Sequence, residues 1–459
     1  MKRLLLAALS AALLAGCSKE LVCARDQKAC GDVCANVETD ARNCGACGKS
    51  CASGQACYAG ACIAAAADAQ NCGAAGRTCA VGETCKAGAC VADLYLACFA
   101  TNEVREATKD LAPAGVPVGT DQGPISLTWL DQILYAANDM SNSLTQIRLD
   151  PPGVRNAASF QLVAPAATAD LEFVRAHDGL LFASNSAAGT ILVLDPVAKQ
   201  VLDEIPLAEK AGDYVDPLGF DFVGEHAFVA LHGGGATAPG QQVAVVDFSN
   251  VATCTPPDPN APACGAAGAC ATGKVCVDGL CQRPPCGKVL SRIGLQTADV
   301  AGFAQPSRVL ALGTQVYVPL ANLTASYAPA GNGKLAVIDA SANGGLGALT
   351  RTLDLGAACT DAGGIAAQNG TVYVACASGP VVPVDTTVKP PAVKTSIQSG
   401  VTAPGSIAIC NGQAYAGDQF SGSISRFDLS GQTPPSAPSA ICPNGSAGWA
   451  TVSDIACGF

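Results

Sequence analysis

The sequence predicts an all-β chain: a seven-bladed β-propeller closed by N- and C-terminal strands of one blade, preceded by small disulfide-rich modules. Three observations carry that prediction. From Leu94 onward the chain is a series of short apolar runs broken by Gly, Asn and Asp, the cadence of successive strands and tight turns. A strand pattern also runs off the C-terminus. Gly405 to Ala416 holds an apolar strand, a polar turn and a second apolar strand, whereas Ser453 to Phe459 holds only the first half of such a unit. The missing half, Leu94-Tyr95-Leu96-Ala97-Cys98-Phe99, lies near the other end of the chain. A unit split between the termini is what a closed ring requires, because the last blade must be sewn to the first. Finally, the cysteines recur in three copies that each end in Cys, five residues, Cys, four residues, Cys.

Composition sets the outer bounds. With 459 residues, 50 Gly and 28 Pro, the chain has room for a large propeller with small appendages. Charged residues make up only 14% and aromatics 5%, and alanine supplies much of the apolar 49%, so the core should be built of small residues on close-packed strands. A formal charge of −11 with no basic stripe excludes nucleic acid as a partner.

The first segment reads as a targeting signal. Lys2 and Arg3 precede an apolar run from Leu4 to Ala15 that is too short to span a bilayer. The tetrad Leu14-Ala15-Gly16-Cys17 resembles the bacterial lipobox. That resemblance implies a lipoprotein signal peptide at 1–16, a diacylglycerol on Cys17 and a lipidated tether at 17–22. It also implies localisation in the cell envelope, and the absence of Asp after Cys17 favours the outer membrane. The chain is then anchored to a membrane, not spanning it.

Twenty-five cysteines minus Cys17 leave an even number, which in an exported protein means disulfides. A module at 23–62 contains Asn43-Cys44-Gly45-Ala46-Cys47, then Cys51, Cys57 and Cys62; a module at 63–93 contains Asn71-Cys72-Gly73, then Cys79, Cys85 and Cys90. A third copy, from Cys264 through Cys270, Cys276 and Cys281, falls inside the ring. The repeat resembles cysteine-rich modules on surface proteins of myxobacteria, which are similar to the stigma-specific secreted domains of plants. Only the first copy has both Cys47 and the upstream Cys23, Cys30 and Cys34, so Cys47 should pair with one of those three; the remaining pairings stay open. Cys44-x-x-Cys47 is half of a zinc site, but no His lies nearby and the other copies lack it, so disulfides are expected and no metal. Modules this small cannot bury a sufficient core and need cross-links. Their expected role is a stiff stalk.

The propeller is expected over 94–459. Tyr95, Tyr135, Phe182, Phe228, Tyr317, Tyr373 and Tyr415 each anchor a second strand, giving seven blades. Third strands often end in Asp, as in Ile191 to Asp195 and Leu335 to Asp339. About 47 residues per blade suits four strands each. This cadence resembles YVTN-type and YncE-like propellers, with weaker similarity to gluconolactonase and streptogramin-lyase propellers. The third cysteine-rich copy is an insertion at 252–287 between the third and fourth strands of the fourth blade. Cys254 and Cys286 bracket it and would close it at its base. Cys359 with Cys376, and Cys98 with Cys442, occupy related positions and are predicted bridges; the second would lock the closing blade. Cys410 and Cys457 remain, both near ends of innermost strands on neighbouring blades.

Propeller sites lie around the channel mouth, on loops into innermost strands or out of second strands. Ligand-binding candidates there are Asn138, Asp139, Asn185, Asp216, His232, Arg308 and Asp418, with Asn102, Asp170 and Asn322 beside them. Carboxylates and amides around a channel can bind a cation such as Ca2+, although Asn and Asp also cap turns in most β proteins. No other cofactor is expected. The three histidines, His177, His226 and His232, cannot form one site, since His232 should lie on the opposite face from the other two. No GxSxG, HExxH or P-loop occurs. The reading is a monomeric surface lipoprotein whose propeller binds an envelope protein, a glycan or a small ligand, with no catalytic residue assigned. The alternative is a metal-assisted lactonase or lyase using channel-mouth carboxylates.

Overall fold

The computed structural model describes residues 23–458, apart from 25, 53–54, 59, 65–68, 70–71, 74–76, 150–154, 163–169, 211–212, 214, 234–240, 266–268, 278 and 446–450. The expected signal peptide at 1–16, the expected lipidation site Cys17 and the expected tether at 17–22 lie outside the described residues. The chain is a seven-bladed β-propeller with almost no helix. Blade 1 is the split one: Val452–Cys457 from the C-terminus pairs with Leu94–Cys98, followed by Glu103–Ala107 and Pro113–Gly119. Blades 2 to 7 then follow in order, with innermost strands at Pro124–Leu130, Leu171–His177, Pro217–Val223, Leu310–Leu312, Ala362–Gln368 and Pro404–Cys410. Every blade is an antiparallel meander. In blade 4 the insertion separates the third strand, Gln242–Asp247, from the fourth, Lys288–Gly294.

The second-strand aromatics explain why the ring holds. Each sits at 7% exposure or less and packs across the seam onto the following blade. Tyr95 lies with Leu134 and Ile147 of blade 2, Phe228 with Val316 and Val318 of blade 5, and Tyr415 with Leu94 and Leu96 of blade 1. Burying one large ring per seam against small and β-branched partners contributes on the order of 2 kcal/mol each. The innermost strands do not pair with one another. Side chains stitch them instead: Leu127 N–H donates to Asp454 Oδ2 at 2.8 Å, Ala311 N–H to Asp221 Oδ2 at 2.9 Å, and Trp129 Nε1–H to the Cys457 carbonyl at 2.7 Å.

All three cysteine-rich copies share one pairing rule, first with third and second with fourth: Cys44–Cys57 and Cys51–Cys62, Cys72–Cys85 and Cys79–Cys90, Cys264–Cys276 and Cys270–Cys281. The first copy adds Cys23–Cys34 and Cys30–Cys47. Within the ring the bridges are Cys98–Cys442, Cys254–Cys286, Cys359–Cys376 and Cys410–Cys457. The glycine after the first cysteine is required sterically. A Cβ on Gly45 or Gly73 would stand 2.3 or 2.4 Å from the carbonyl oxygen of Gly60 or Gly88.

The modules do not project as a stalk. Ala89, Val91 and Ala92 are fully buried in the core shared by blades 1 and 2. Arg155 reaches Glu106 of blade 1 with Nε–Oε1 2.7 Å and also pairs with Glu83 of the second module, and all three side chains are buried. The first module folds back too: the Asp26 carboxylate packs against Gly179 in blade 3, within 2.8 Å of where a Cβ would stand. The stiff-stalk expectation fails because the linker after Cys90 is already a core element.

Cys98–Cys442 closes a loop spanning 344 residues, nearly the whole ring. Replacing both cysteines by Ala should lower stability by roughly 2–5 kcal/mol, read as a drop in urea midpoint. An unchanged midpoint in the double variant would mean that the strand ladder alone closes the ring.

Candidate ligand-binding channel

The channel mouth is a ring of repeating backbone pairs. In five of the blades, the residue before the innermost strand accepts a hydrogen bond from the N–H of the residue after the second strand. Gly123 accepts from Asp139, Asp170 from Ser186, Asp216 from His232, Asp361 from Ala377 and Ala403 from Gln419. The side chains at these positions therefore ring one end of the channel. The acids among them gather on blades 2, 3, 4 and 6.

The structure sorts the sequence candidates into two groups. Asn138, Asn185 and Asp418 are at most 2% exposed and serve the blades. Asn138 Nδ2–H donates to Ser143 and Thr145, Asn185 Oδ1 accepts from the N–H groups of Asp170 and Ala188, and Asp418 accepts from the N–H groups of Thr402, Ala403, Phe420 and Ser421. Asn185 and Asp418 cap turns, Asn138 braces its own hairpin, and all three are withdrawn into the blades, although Asn138 Oδ1 and Asn185 Nδ2 have no partner among the described residues. Asp139, Asp216, His232 and Arg308 are half-buried. Ser186 Oγ–H donates to Asp216 Oδ1 at 2.6 Å, and His232 Nδ1 lies 3.3 Å from the Pro306 carbonyl.

Asp139 joins Asp170 and Glu172 in a cluster in which one oxygen from each lies within 4.8 Å of the others. Burial raises the Asp139 carboxyl well above the usual carboxylate range, and a hydrogen bond shared with Asp170 and the charges of Asp170 and Glu172 add to it. Glu172 is pushed up to about 7 by burial and by the charges of Asp170 and Asp216, against the opposing pull of Arg308. Oxygen-only donors of this kind suit a hard cation such as Ca2+. Burial likewise raises Asp361, with His232 acting in the opposite direction.

Inside the ring of acids, a cavity of about 290 Å3 follows the propeller axis. Phe173 of blade 3 forms part of its wall, and two guanidiniums lie over that ring: Arg175 Cζ at 4.9 Å and Arg308 Cζ at 4.8 Å from the ring centre. Arg175 Nε is buried with no hydrogen-bond partner, and neither arginine forms an ion pair among the described residues, although Asp454 lines the same cavity and the charge of Glu172 acts on Arg308. The opposite wall is made of Gly364, Gly405, Ser406 and Ile407. Two unpaired guanidiniums over an aromatic face, in a polar cavity, are poised for a planar or tetrahedral oxyanion.

Sequence reasoning missed Glu172, Phe173 and Arg175, which lie on the innermost strand and not on a loop. The strand pairing slips between Leu171 and Phe173, so simple alternation does not tell which residues face the axis. Trp129 lines the cavity, while Trp449 lies outside the described residues.

The stigma-specific STIG1-like protein family model matches residues 14–93, the stretch that carries the first two cysteine-rich modules. Among solved structures, a Lactobacillus plantarum protein is similar with a TM-score of 0.56 at 12% identity, covering 80% of this chain and 98% of that one. A functionally unknown protein from Desulfotomaculum acetoxidans gives 0.53 at 11%, covering 78% and 98%. A Bacteroides uniformis protein described as a candidate 6-phosphogluconolactonase gives 0.52 at 12%, covering 73% and 91%. At such identities the likeness is one of fold. No curated protein sequence matches the chain.

An acid whose carboxyl is raised in the folded state stabilises the fold below its unfolded pKa and loses that contribution as pH rises through the folded value. Asp139→Asn should therefore raise the melting temperature relative to wild type at a pH of about 8 and leave it unchanged at about 4, the difference growing steadily between. A shift independent of pH would refute the proton-sharing arrangement with Asp170.

Proposed function

We propose that the chain is an outer-membrane-anchored lipoprotein whose propeller is a binding module, and that its channel takes a small, oxygen-rich anion. The observation that carries this reading is the pair of guanidiniums, Arg175 and Arg308, over the Phe173 ring, neither in an ion pair with a carboxylate among the described residues, with only the more distant charge of Glu172 acting on Arg308. Burying a charge without a partner is costly, so an unpaired guanidinium pair facing a cavity is best accounted for by a ligand that completes it. The cavity, at about 290 Å3, admits a molecule the size of a sugar phosphate or a small dicarboxylate. The three acids at the mouth would then select against bulkier anions while accepting hydrogen bonds from ligand hydroxyls.

A second reading has one observation in its favour, the Asp139, Asp170 and Glu172 cluster. There Asp139, Asp170 and Glu172 would hold a divalent cation, which would supply Lewis-acid activation for hydrolysis of, or elimination from, an ester or lactone. The Bacteroides uniformis neighbour lends this reading a chemical class only. Turnover of a phosphorylated aldonolactone that stops in Asp170→Asn would establish the enzyme; binding without turnover would establish the module.

The anchor rests on Leu14-Ala15-Gly16-Cys17. In a Gram-negative host, wild type should label with palmitate and sediment with membranes, while Cys17→Ser should do neither; a Cys17→Ser chain that still labels sinks the anchor.

For the channel, calorimetry with glucose 6-phosphate, inorganic phosphate and neutral glucose provides the test. Both anions should bind and glucose should not, and Arg175→Ala or Arg308→Ala should weaken binding by about tenfold or more. With sulfate as the probe, whose charge is constant over this range, affinity should rise as pH falls from about 8 to about 6, because Glu172 gains its proton and the negative charge beside Arg308 disappears. Glu172→Gln should flatten that dependence. Equal binding of glucose, or indifference to both arginine changes, would overturn the reading.

A further inference from the structure

The end of the propeller opposite the channel mouth carries a second group of ligating side chains. His177 ends the innermost strand of blade 3, Asp178 begins the tight turn that follows, and Glu225 occupies the matching turn of blade 4. One ligating atom from each lies within 4.8 Å of the other two, and His177 Nε2 is 3.6 Å from Asp178 Oδ2. Two further observations single this group out from ordinary surface acids. The imidazole is held in a fixed plane, stacked flat on Phe222 with centroids 4.0 Å apart and 3° between planes. Its Nε2, on the edge facing the carboxylates, is shielded from solvent and has no hydrogen-bond partner. A ring nitrogen oriented by packing, withdrawn from water and left unspent beside two carboxylates, is the arrangement a metal ligand needs before the ion arrives.

The surroundings are one-sidedly negative. Asp26 of the first cysteine-rich module packs against Gly179 in the same turn, and no Lys or Arg pairs with Asp178 or Glu225 among the described residues. A divalent cation would cancel this charge where the module meets blade 3. The donor set decides the class of ion. One imidazole and two carboxylates suit a borderline ion such as Zn2+, which takes three protein ligands plus water, and suit Ca2+ or Mg2+ poorly. Metal bonds of about 2.0–2.2 Å bring ligand atoms to within about 3.5 Å of one another, a closure that rotamer changes of the exposed Asp178 and Glu225 can make.

We propose that His177, Asp178 and Glu225 form a Zn2+-class site that ties the turn of blade 3 to that of blade 4 beneath the first cysteine-rich module. It is independent of the channel: the acids there are oxygen-only and lie at the other end of the blades.

The test uses the full chain in its Cys17→Ser form, treated with chelator and titrated with Zn2+ by calorimetry, with Co2+ as a spectroscopic substitute. One equivalent of Zn2+ should bind, and Co2+ should give visible bands of a site with nitrogen and oxygen donors. His177→Gln should weaken Zn2+ by about 10- to 100-fold and abolish the Co2+ bands. Glu225→Gln, on an exposed turn where folding is not at stake, should weaken it by about tenfold. His226→Gln should leave both readouts unchanged. No Zn2+ binding, or binding that survives both His177→Gln and Glu225→Gln, would overturn the site.

Discussion

The pairing of Val452–Cys457 with Leu94–Cys98 is the constraint from which the rest of the molecule follows. A four-stranded sheet cannot bury both its faces alone, and here each blade hides one face under an aromatic supplied by its predecessor. In an open ring the core around Tyr415 would lose Leu94 and Leu96, and the last seam would face water. Joining the C-terminal strand to the first one completes that seam with backbone hydrogen bonds. Cys98–Cys442 adds a covalent link between the start of blade 1 and the end of blade 7.

Closure also decides where the N-terminal modules must go. The strand that accepts the C-terminus begins at Leu94, only three residues after the second module ends its last strand, Ala89–Val91. The module therefore has no slack, and Val91 and Ala92 are drawn into the core of blades 1 and 2. Arg155 follows from the same geometry. Glu83 and Glu106 meet under the module, and two buried carboxylates need one cation between them. Losing Arg155 would leave both without a counter-charge, which is why this contact reads as the pin that holds module to ring and not as a decorative ion pair. A lipid on Cys17 would thus hold the ring through a docked module.

Much of this was legible in the sequence, and the parts that were not have physical reasons. The seven aromatics mark second strands because each must fill a seam, and a seam demands one large ring at one register. The cysteine spacing repeats because each small module needs the same two cross-links. The channel was harder to read. Asn138, Asn185 and Asp418 look like mouth residues by position, yet all three are buried in the blades, where Asn138 donates to Thr145 Oγ1 and Asn185 and Asp418 accept from backbone N–H groups of the turns. Glu172 and Arg175 are not singled out by the sequence pattern, because a register slip at the start of the innermost strand recurs in blades 1, 2, 3, 4, 6 and 7. A bulge that flips facing is invisible to a period-two reading. The folding-back of the first module was illegible for another reason. Its contact brings Asp26 toward Asp131, whose carboxyl is raised to about 6 by burial and by the Asp26 charge, and like charges give no hint of attraction.

The walls of the channel differ from blade to blade. Between blades 6 and 7 the innermost strands leave little room beyond backbone: a Cβ on Gly364 would stand 3.0 Å from the Gly405 carbonyl oxygen. Blades 6 and 7 therefore present a smooth wall of glycine, with Ser406 and Ile407 beside it. The side chains missing from that wall leave the space that blades 3 and 5 fill with Phe173, Arg175 and Arg308. The guanidiniums of Arg175 and Arg308 share the channel interior with Asp454 of blade 1, while blades 6 and 7 add backbone and little side-chain charge. A ligand oxyanion there would meet the two arginines on one side and glycine backbone on the other, and this asymmetry is what the proposed anion binding rests on.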